Sequence, residues 1–85
     1  MMKRRKVCVL VSVDKNDGYV ESSVYDNREM AVEMVKGLVE ENSDEDEDEL
    51  ELTLKCVEKE LGVAGHQQYD DGSTVYHIFE REING

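Results

Sequence analysis

The segment VCVLVSV, residues 7–13, decides the fold. Its odd-numbered positions are all valine, and Cys8, Leu10 and Ser12 lie between them. Successive side chains of a strand point to opposite faces of a sheet, so this pattern predicts an interior β-strand with both faces at least partly covered. We therefore expect the molecule to be built on a single sheet around this strand.

A hairpin is expected directly after this strand. DKNDG, residues 14–18, has the composition of a turn and includes a glycine available for positive φ. Residues 19–25 are rich in β-branched and aromatic side chains, which favour a second strand. The polar residues Glu21, Ser22 and Ser23 indicate that this strand lies at an edge of the sheet.

The next segment predicts a helix over about residues 27–41. DNRE, residues 26–29, has the spacing of a capping box in which Asp26 is the cap and Glu29 reaches back to it. Four apolar residues recur at helical spacing, so we expect them to pack on the sheet. These residues are Met30, Met34, Val35 and Leu38.

Residues 44–61 carry two competing patterns. Leu50, Leu54, Val57 and Leu61 fit a helical stripe, whereas the alternation over residues 49–56 also fits a strand. We favour the helix because acidic residues crowd its first turns, where the helix dipole is positive. Ser43 is then the expected cap, and Gly62 suits the position after the last turn.

Both predicted helices carry a second apolar strip nearly opposite the first. Packing of the two helices against each other would cover this strip, and a homodimer interface is the alternative. The strip consists of Val32, Val39, Leu52 and Cys56.

The last part of the chain completes the sheet. Residues 64–69 fit a short edge strand, residues 70–72 a turn, and residues 73–83 a long strand with Val75, His77 and Phe79 on one face. The order ββαα(β)β predicts an α+β fold. We expect a small two-layer sandwich, with a three- or four-stranded, mainly antiparallel sheet and two helices on one face.

Length and charge indicate how many domains the chain forms and which classes of ligand are disfavoured. The 85 residues fit one domain, which we place at residues 7–85, after a basic flexible arm at residues 1–6. The chain has 10 Lys+Arg, 21 Asp+Glu and a net charge of −11. This balance argues against direct binding to nucleic acid or to a membrane, since both recruit Lys and Arg.

The cellular setting follows from apolar runs and cysteines. No apolar run approaches the ~20 residues that span a bilayer. Two cysteines are too few for a disulfide framework, which favours a reducing compartment. We expect a cytoplasmic protein.

Metal and catalytic patterns are incomplete. Asp44, Asp46 and Asp48 begin like a calcium loop, but Glu49 stands where that loop needs glycine, and Lys55 stands where it needs a bidentate glutamate. A zinc site would need close pairs of ligands, which the remaining candidates lack. Those candidates are Cys8, Cys56, His66 and His77. We predict a non-enzymatic protein with no metal site and no cofactor.

The strongest functional signal is the segment from residue 40 to residue 51, the acidic segment, in which nine of twelve residues are acidic and none is basic. In a helix this gives one negative charge every ~2 Å, against one per ~1.7 Å in duplex DNA. We therefore expect it to bind a basic protein surface, such as that of a nucleic-acid-binding protein. The expected binding residues are Glu40, Glu41, Asp44, Glu45, Asp46, Glu47, Asp48, Glu49 and Glu51.

In size and charge, the chain is similar to small phage inhibitors such as anti-CRISPR and anti-restriction proteins, several of which mimic nucleic acid. This resemblance implies an inhibitor that occupies the nucleic-acid site of a defence or DNA-processing enzyme. The alternative is a structural or regulatory module that self-associates through the second apolar strip, with the acidic segment serving only solubility.

Overall fold

The computed structural model describes residues 4–84. It contains strands β1 (Arg4–Asp14) and β2 (Val20–Tyr25), helices α1 (Arg28–Glu41) and α2 (Glu47–Leu61), and strands β3 (Gln67–Asp70) and β4 (Thr74–Asn84). The four strands form one antiparallel sheet in the order β2-β1-β4-β3. The predicted α+β fold is confirmed, and β3 supplies the fourth strand.

The strand that decides the fold lies inside the sheet, as predicted. Leu10 pairs with Ser23 of β2 and with Ile78 of β4, whereas Val9 pairs with Val24 and with Phe79. Because paired residues of antiparallel strands point to the same side, the even and odd positions of β1 belong to different faces. The two edge strands, β2 and β3, are short, with six and four residues.

The core lies between one face of the sheet and the two helices. The even-numbered residues of β1 and β4 face the helices, and the helices bury a mostly small, apolar set against them. The buried cluster consists of Cys8, Leu10, Ala31, Val32, Val35, Val39, Val57, Leu61, Tyr76 and Ile78. Within residues 4–84, no element covers the other face of the sheet. The odd-numbered positions of β1 are nevertheless partly covered, as expected, because Val7 is buried and Val9, Val11 and Val13 are half-buried among neighbouring side chains.

Helix α1 begins one residue later than the capping box predicted. Asn27 is the cap, and its side-chain oxygen accepts a hydrogen bond from the Met30 backbone N–H at 2.9 Å. Asp26 is instead paired with the Arg5 guanidinium. The prediction of Asp26 as the cap is wrong because Asn27 occupies the position from which a side chain reaches the first free N–H groups.

The buried face of α1 is rotated from the predicted one. Ala31, Val32, Val35 and Val39 are buried, while Met30 and Met34 are 48% and 44% exposed. Val35 and the half-buried Leu38 are the members of the predicted stripe that contact the core. The expectation that both methionines pack on the sheet is wrong.

Helix α2 confirms the helical interpretation of residues 49–56. It begins at Glu47 because Asp46, rather than the predicted Ser43, caps it by accepting the Glu49 N–H at 2.9 Å. Gly62 follows the last turn with φ −77°, so it does not serve as a left-handed cap. A β-carbon at Gly62 would lie 2.5 Å from the Glu58 carbonyl oxygen, and this close approach favours glycine.

The start of the chain differs from the predicted flexible arm. Strand β1 begins at Arg4, and its first residues pair with the end of β4, with Arg5 opposite Ile83 and Lys6 opposite Glu82. Residues 4–6 therefore belong to the sheet. The rest of the predicted arm, residues 1–3, lies outside the described residues.

Candidate functional site

The acidic segment lies at one end of the helical layer. Helix α1 ends at Glu41, the connection covers residues 42–46, and α2 begins at Glu47, so all nine predicted binding residues lie around this connection. Each of the nine is exposed. The structure therefore brings the predicted residues together on the surface.

Two turns of the sheet lie at the same end. The β1–β2 turn carries Asp14 and Asp17, and the β3–β4 turn carries Asp70 and Asp71. The Lys15 backbone N–H donates to the Ser73 carbonyl oxygen at 2.9 Å, which joins the two turns. A small hollow lined by residues of the helix connection and by residues 71 and 73 places the acidic segment beside them.

We call this region, the acidic segment together with Asp14, Asp17, Asp70 and Asp71, the acidic end. It holds thirteen of the 21 acidic residues of the chain and one basic residue, Lys15. Lys15 is itself paired with Asp70. The sequence pattern of residues 14–18 and 70–72 indicated turns, and the sheet register is what adds their carboxylates to this end.

Three residues of the acidic segment have partners within the protein. Asp46 caps α2, Glu45 accepts a hydrogen bond from the Thr53 hydroxyl at 3.0 Å, and Glu51 lies 3.6 Å from the Lys55 ammonium. The other six side chains have no hydrogen bond or ion pair to any residue of 4–84. They are Glu40, Glu41, Asp44, Glu47, Asp48 and Glu49. An external cation can therefore approach them without displacing an internal one.

Basic residues lie at the other end of the long strands. Arg5 and Lys6 are near the start of β1, and Arg81 is near the end of β4. At about 3.4 Å per residue, β1 separates these side chains from the acidic end by roughly 30 Å. Asp26, Glu80 and Glu82 lie beside these basic side chains, so this end is mixed in charge, whereas the acidic end is strongly negative.

Arg28 and Glu80 make several hydrogen bonds that hold elements of the fold together. Arg28 donates to the Leu61 carbonyl oxygen at 2.8 Å and to Glu80 Oε1 at 3.1 Å, which ties the start of α1 to the end of α2 and to β4. Glu80 also accepts the Gly65 backbone N–H at 3.2 Å. The Gly65 N–H and then the Arg28 guanidinium lower the pKa of Glu80.

The four zinc candidates do not converge. His66 Nε2 lies 3.1 Å from His77 Nδ1, and the His66 ring meets the edge of Phe79 with ring centroids 5.8 Å apart. Cys8 lies on the helix-facing side of the sheet, and Cys56 is exposed on α2. Within residues 4–84 the structure groups no three side chains that could hold a metal ion. Burial raises the pKa of the Cys8 thiol, which lowers its reactivity.

The predicted self-association strip does not form one surface. Val32 and Val39 are 5% and 4% exposed because they pack in the core of the monomer. Leu52, 64% exposed, and Cys56 remain on the outer side of α2. The prediction of a four-residue interface is therefore wrong for the two valines.

Comparisons with protein-family models, with curated proteins and with solved structures found no match to this chain. No helix in the described part of the chain has both the length and the apolar character needed to cross a membrane. The feature that stands out on this fold is the acidic end, defined by its own charge and geometry.

Proposed function

We propose that the protein is a non-enzymatic protein-binding protein whose acidic end occupies a basic surface on a partner protein. The observation that supports this proposal is that three separate segments bring thirteen carboxylates to the same end of the molecule. Folding such like charges together raises the electrostatic free energy of the monomer, and a cationic partner would lower it.

The spacing of the charges favours a partner that ordinarily binds nucleic acid. In the first turns of α2, carboxylates follow one another along the helix axis at intervals similar to those of phosphates along a duplex. A basic groove that binds phosphates attracts a ligand first through its negative electrostatic potential, before any contact reads the identity of the bases. We propose the nucleic-acid site of a defence or DNA-processing enzyme as the target, which would make the protein an inhibitor.

The affinity would come from many weak contacts. A single exposed ion pair contributes about 0 to 1 kcal/mol, so no one carboxylate would dominate. The summed field would speed association, and the complex would weaken as salt screens it. A strong dependence of affinity on salt is therefore the signature of this mode of binding.

A pair of matched double variants tests the proposal. Asp44→Asn with Glu47→Gln removes two carboxylates of the acidic end that have no internal partner. Glu29→Gln with Glu60→Gln removes two exposed carboxylates elsewhere on the helices, and so changes the net charge equally. Each protein is immobilised and used to capture partners from a native lysate at low and at high salt.

We expect one or more basic proteins that are retained at low salt by the wild type and the control, and released at high salt. The acidic-end variant should retain about fivefold less, as expected for the loss of two exposed charge contacts. Equal retention by both double variants would contradict the proposal. A retained partner should also lose labelled duplex DNA when wild-type protein is added, and about fivefold more of the acidic-end variant should be needed for the same loss.

A further inference from the structure

The face of the sheet opposite the helices is rich in valine, and no helix or strand packs on it within residues 4–84. The His66 ring lies against it, beside His77 and Phe79 near the β3 edge. It is formed by the odd-numbered residues of β1 and β4 and their neighbours on β2 and β3, and we call it the open face. Its rows run across the sheet, for example Val24, Val9 and Phe79. Its apolar members are the buried Val7 together with Val9, Val11, Val13, Val20, Val24, Val75, Phe79 and Ile83. One central row is mostly polar and consists of Ser22, Val11, His77 and Gln68.

The open face is unusual for a surface of this protein. At its margins Val20, Val24 and Ile83 are 56%, 64% and 41% exposed. Its charged members, Arg5, Arg81 and the lysine-paired Asp70, lie at its two ends. Of the 21 acidic residues of the chain, Asp70 is thus the one that the strand pairing places on the open face within residues 4–84. A sheet face with this many exposed apolar side chains and so few charges is typical of an interaction site.

The size of the open face matches that of a protein interface. The strands contain 11, 6, 4 and 11 residues. At about 3.4 Å per residue and about 4.8 Å between strands, they cover about 500 Å² in plan. Two such faces would bury at least about 1,000 Å² in total, which is the size that a specific interface requires.

The charge pattern favours a second copy of this chain as the occupant. If two open faces pack with their strands antiparallel, Asp70 of each copy lies near Arg5 and Arg81 of the other. The two acidic ends then lie at opposite extremes of the assembly, about 30 Å or more apart, well beyond the Debye length of about 8 Å. The same face against an acidic partner protein would lack this complementarity.

We infer that the open face is the interface of a homodimer, in which two sheets pack face to face with antiparallel strands and the helices lie outside. Packed sheets lie about 10 Å apart, and their inner side chains interdigitate. The valines and Phe79 supply the apolar contacts on either side of the central row with Ser22 and His77, while the arginine and aspartate side chains lie at the rim. This surface replaces the predicted one on the helices, and it does not depend on the proposed function.

Sedimentation of the full chain over micromolar to near-millimolar concentrations tests the inference. Val11→Thr places a hydroxyl at the centre of the open face and keeps a residue that favours strands. Val24→Lys places a charge on the edge strand at a position that is already mostly exposed in the monomer. The matched controls, Val63→Thr and Leu52→Gln, change exposed apolar residues outside the open face.

We expect the wild type and both controls to form dimers that persist in high salt. Val11→Thr should raise the dimer dissociation constant about tenfold, since it replaces an apolar methyl group with a hydroxyl, which is unfavourable to bury. Val24→Lys should be a monomer. Circular dichroism at low concentration verifies that each variant folds. A wild type that stays monomeric throughout overturns the inference, as does a dimer lost in Leu52→Gln and kept in Val24→Lys. Neither result bears on the salt-sensitive capture of a basic partner.

Discussion

At the residue scale, one side-chain oxygen sets the start of each helix. Asn27 and Asp46 both have extended backbones, and each accepts an N–H of the first helical turn at 2.9 Å. The early N–H groups of a helix have no partner within the helix, so such a side chain stabilises the whole element. Asp46 also places a negative charge at the positive end of the α2 dipole.

Replacing Asn27 by alanine should lower the free energy of unfolding by about 1 kcal/mol, because the Met30 N–H loses its acceptor. Asp26→Ala, a change at the neighbouring residue, is the matched control. It removes an ion pair whose two side chains are 60% and 67% exposed, so we expect a much smaller effect. Urea unfolding followed by circular dichroism measures both. An equal loss in the two variants would show that the helix boundary is misplaced.

Glu80 should make a pH-dependent contribution to stability. Its pKa is lowered in the folded state by the Gly65 N–H and by Arg28, so the fold favours its carboxylate form. The resulting stabilisation is fully present above the pKa of an unfolded glutamate and is lost as the pH falls through the lower, folded value. The window therefore lies below about pH 4.

Glu80→Gln should be less stable than the wild type at neutral pH, and the difference should shrink as the pH falls through this window. Unfolding midpoints measured from pH 7 downward check the trend. Glu60→Gln serves as the control, since the Glu60 carboxylate is exposed and has no hydrogen bond or ion pair to another residue of 4–84. A Glu80→Gln difference that is constant with pH would contradict the assigned role of the carboxylate.

At the scale of elements, the position of α1 over the sheet decides which side chains it buries. Ala31, Val32, Val35 and Val39 face the core, and the flank with Met30 and Met34 lies beside the edge strand β2. Tyr25 and the two methionines line an open groove of about 530 Å³ there. The small buried residues allow the helix to lie close to the sheet.

Val35→Ala should lower the free energy of unfolding by about 2 kcal/mol, because Val35 is completely buried and the lost methyl groups leave a cavity. Met34→Ala should change it by less than about 0.5 kcal/mol, since Met34 is 44% exposed. Thermal or urea unfolding distinguishes the two. A larger loss for Met34→Ala would support the face predicted from the sequence.

Periodicity predicted the elements well and the rotation of α1 poorly. Alternation over residues 7–13 gave a strand with the correct faces because the period of a strand has only two phases. On α1, two overlapping apolar sets both satisfy a period of 3.6 residues and share Val35. The choice between them depends on where the helix lies across the sheet, which is a tertiary property that local sequence does not contain.

The capping errors have a similar origin. Asp26 and Asn27 are both good caps, as are Ser43 and Asp46, so residue type alone does not choose between neighbours. Asp26 is drawn to Arg5, a contact between residues 21 positions apart. Ser43 instead accepts the N–H of Glu45 within the connection.

At the scale of the whole molecule, charged and apolar surfaces are separated. Carboxylates gather at the acidic end, basic side chains lie at the other end of β1 and β4, and the open face holds valines. Because the surfaces are distinct, a dimer through the open face would leave both acidic ends accessible. The assembly would then present two of them to a partner.

The sequence predicted the nine residues of the acidic segment, but it did not predict which other carboxylates lie beside them. Asp14, Asp17, Asp70 and Asp71 join them through the registers of β1 with β2 and of β4 with β3. The open face could not be predicted either, because it too depends on how the elements are placed in three dimensions. An all-valine alternation indicates an apolar face, but only the placement of both helices on the other side leaves that face uncovered.

The most direct test of the account is the affinity of a captured basic partner as a function of salt, measured for the wild type and the two matched double variants. We predict that affinity falls steeply with salt for the wild type and for Glu29→Gln with Glu60→Gln. The Asp44→Asn with Glu47→Gln variant should bind more weakly at low salt and show a smaller slope, so that the curves approach one another at high salt. Three superimposed curves would contradict the claim that the acidic end is the binding surface.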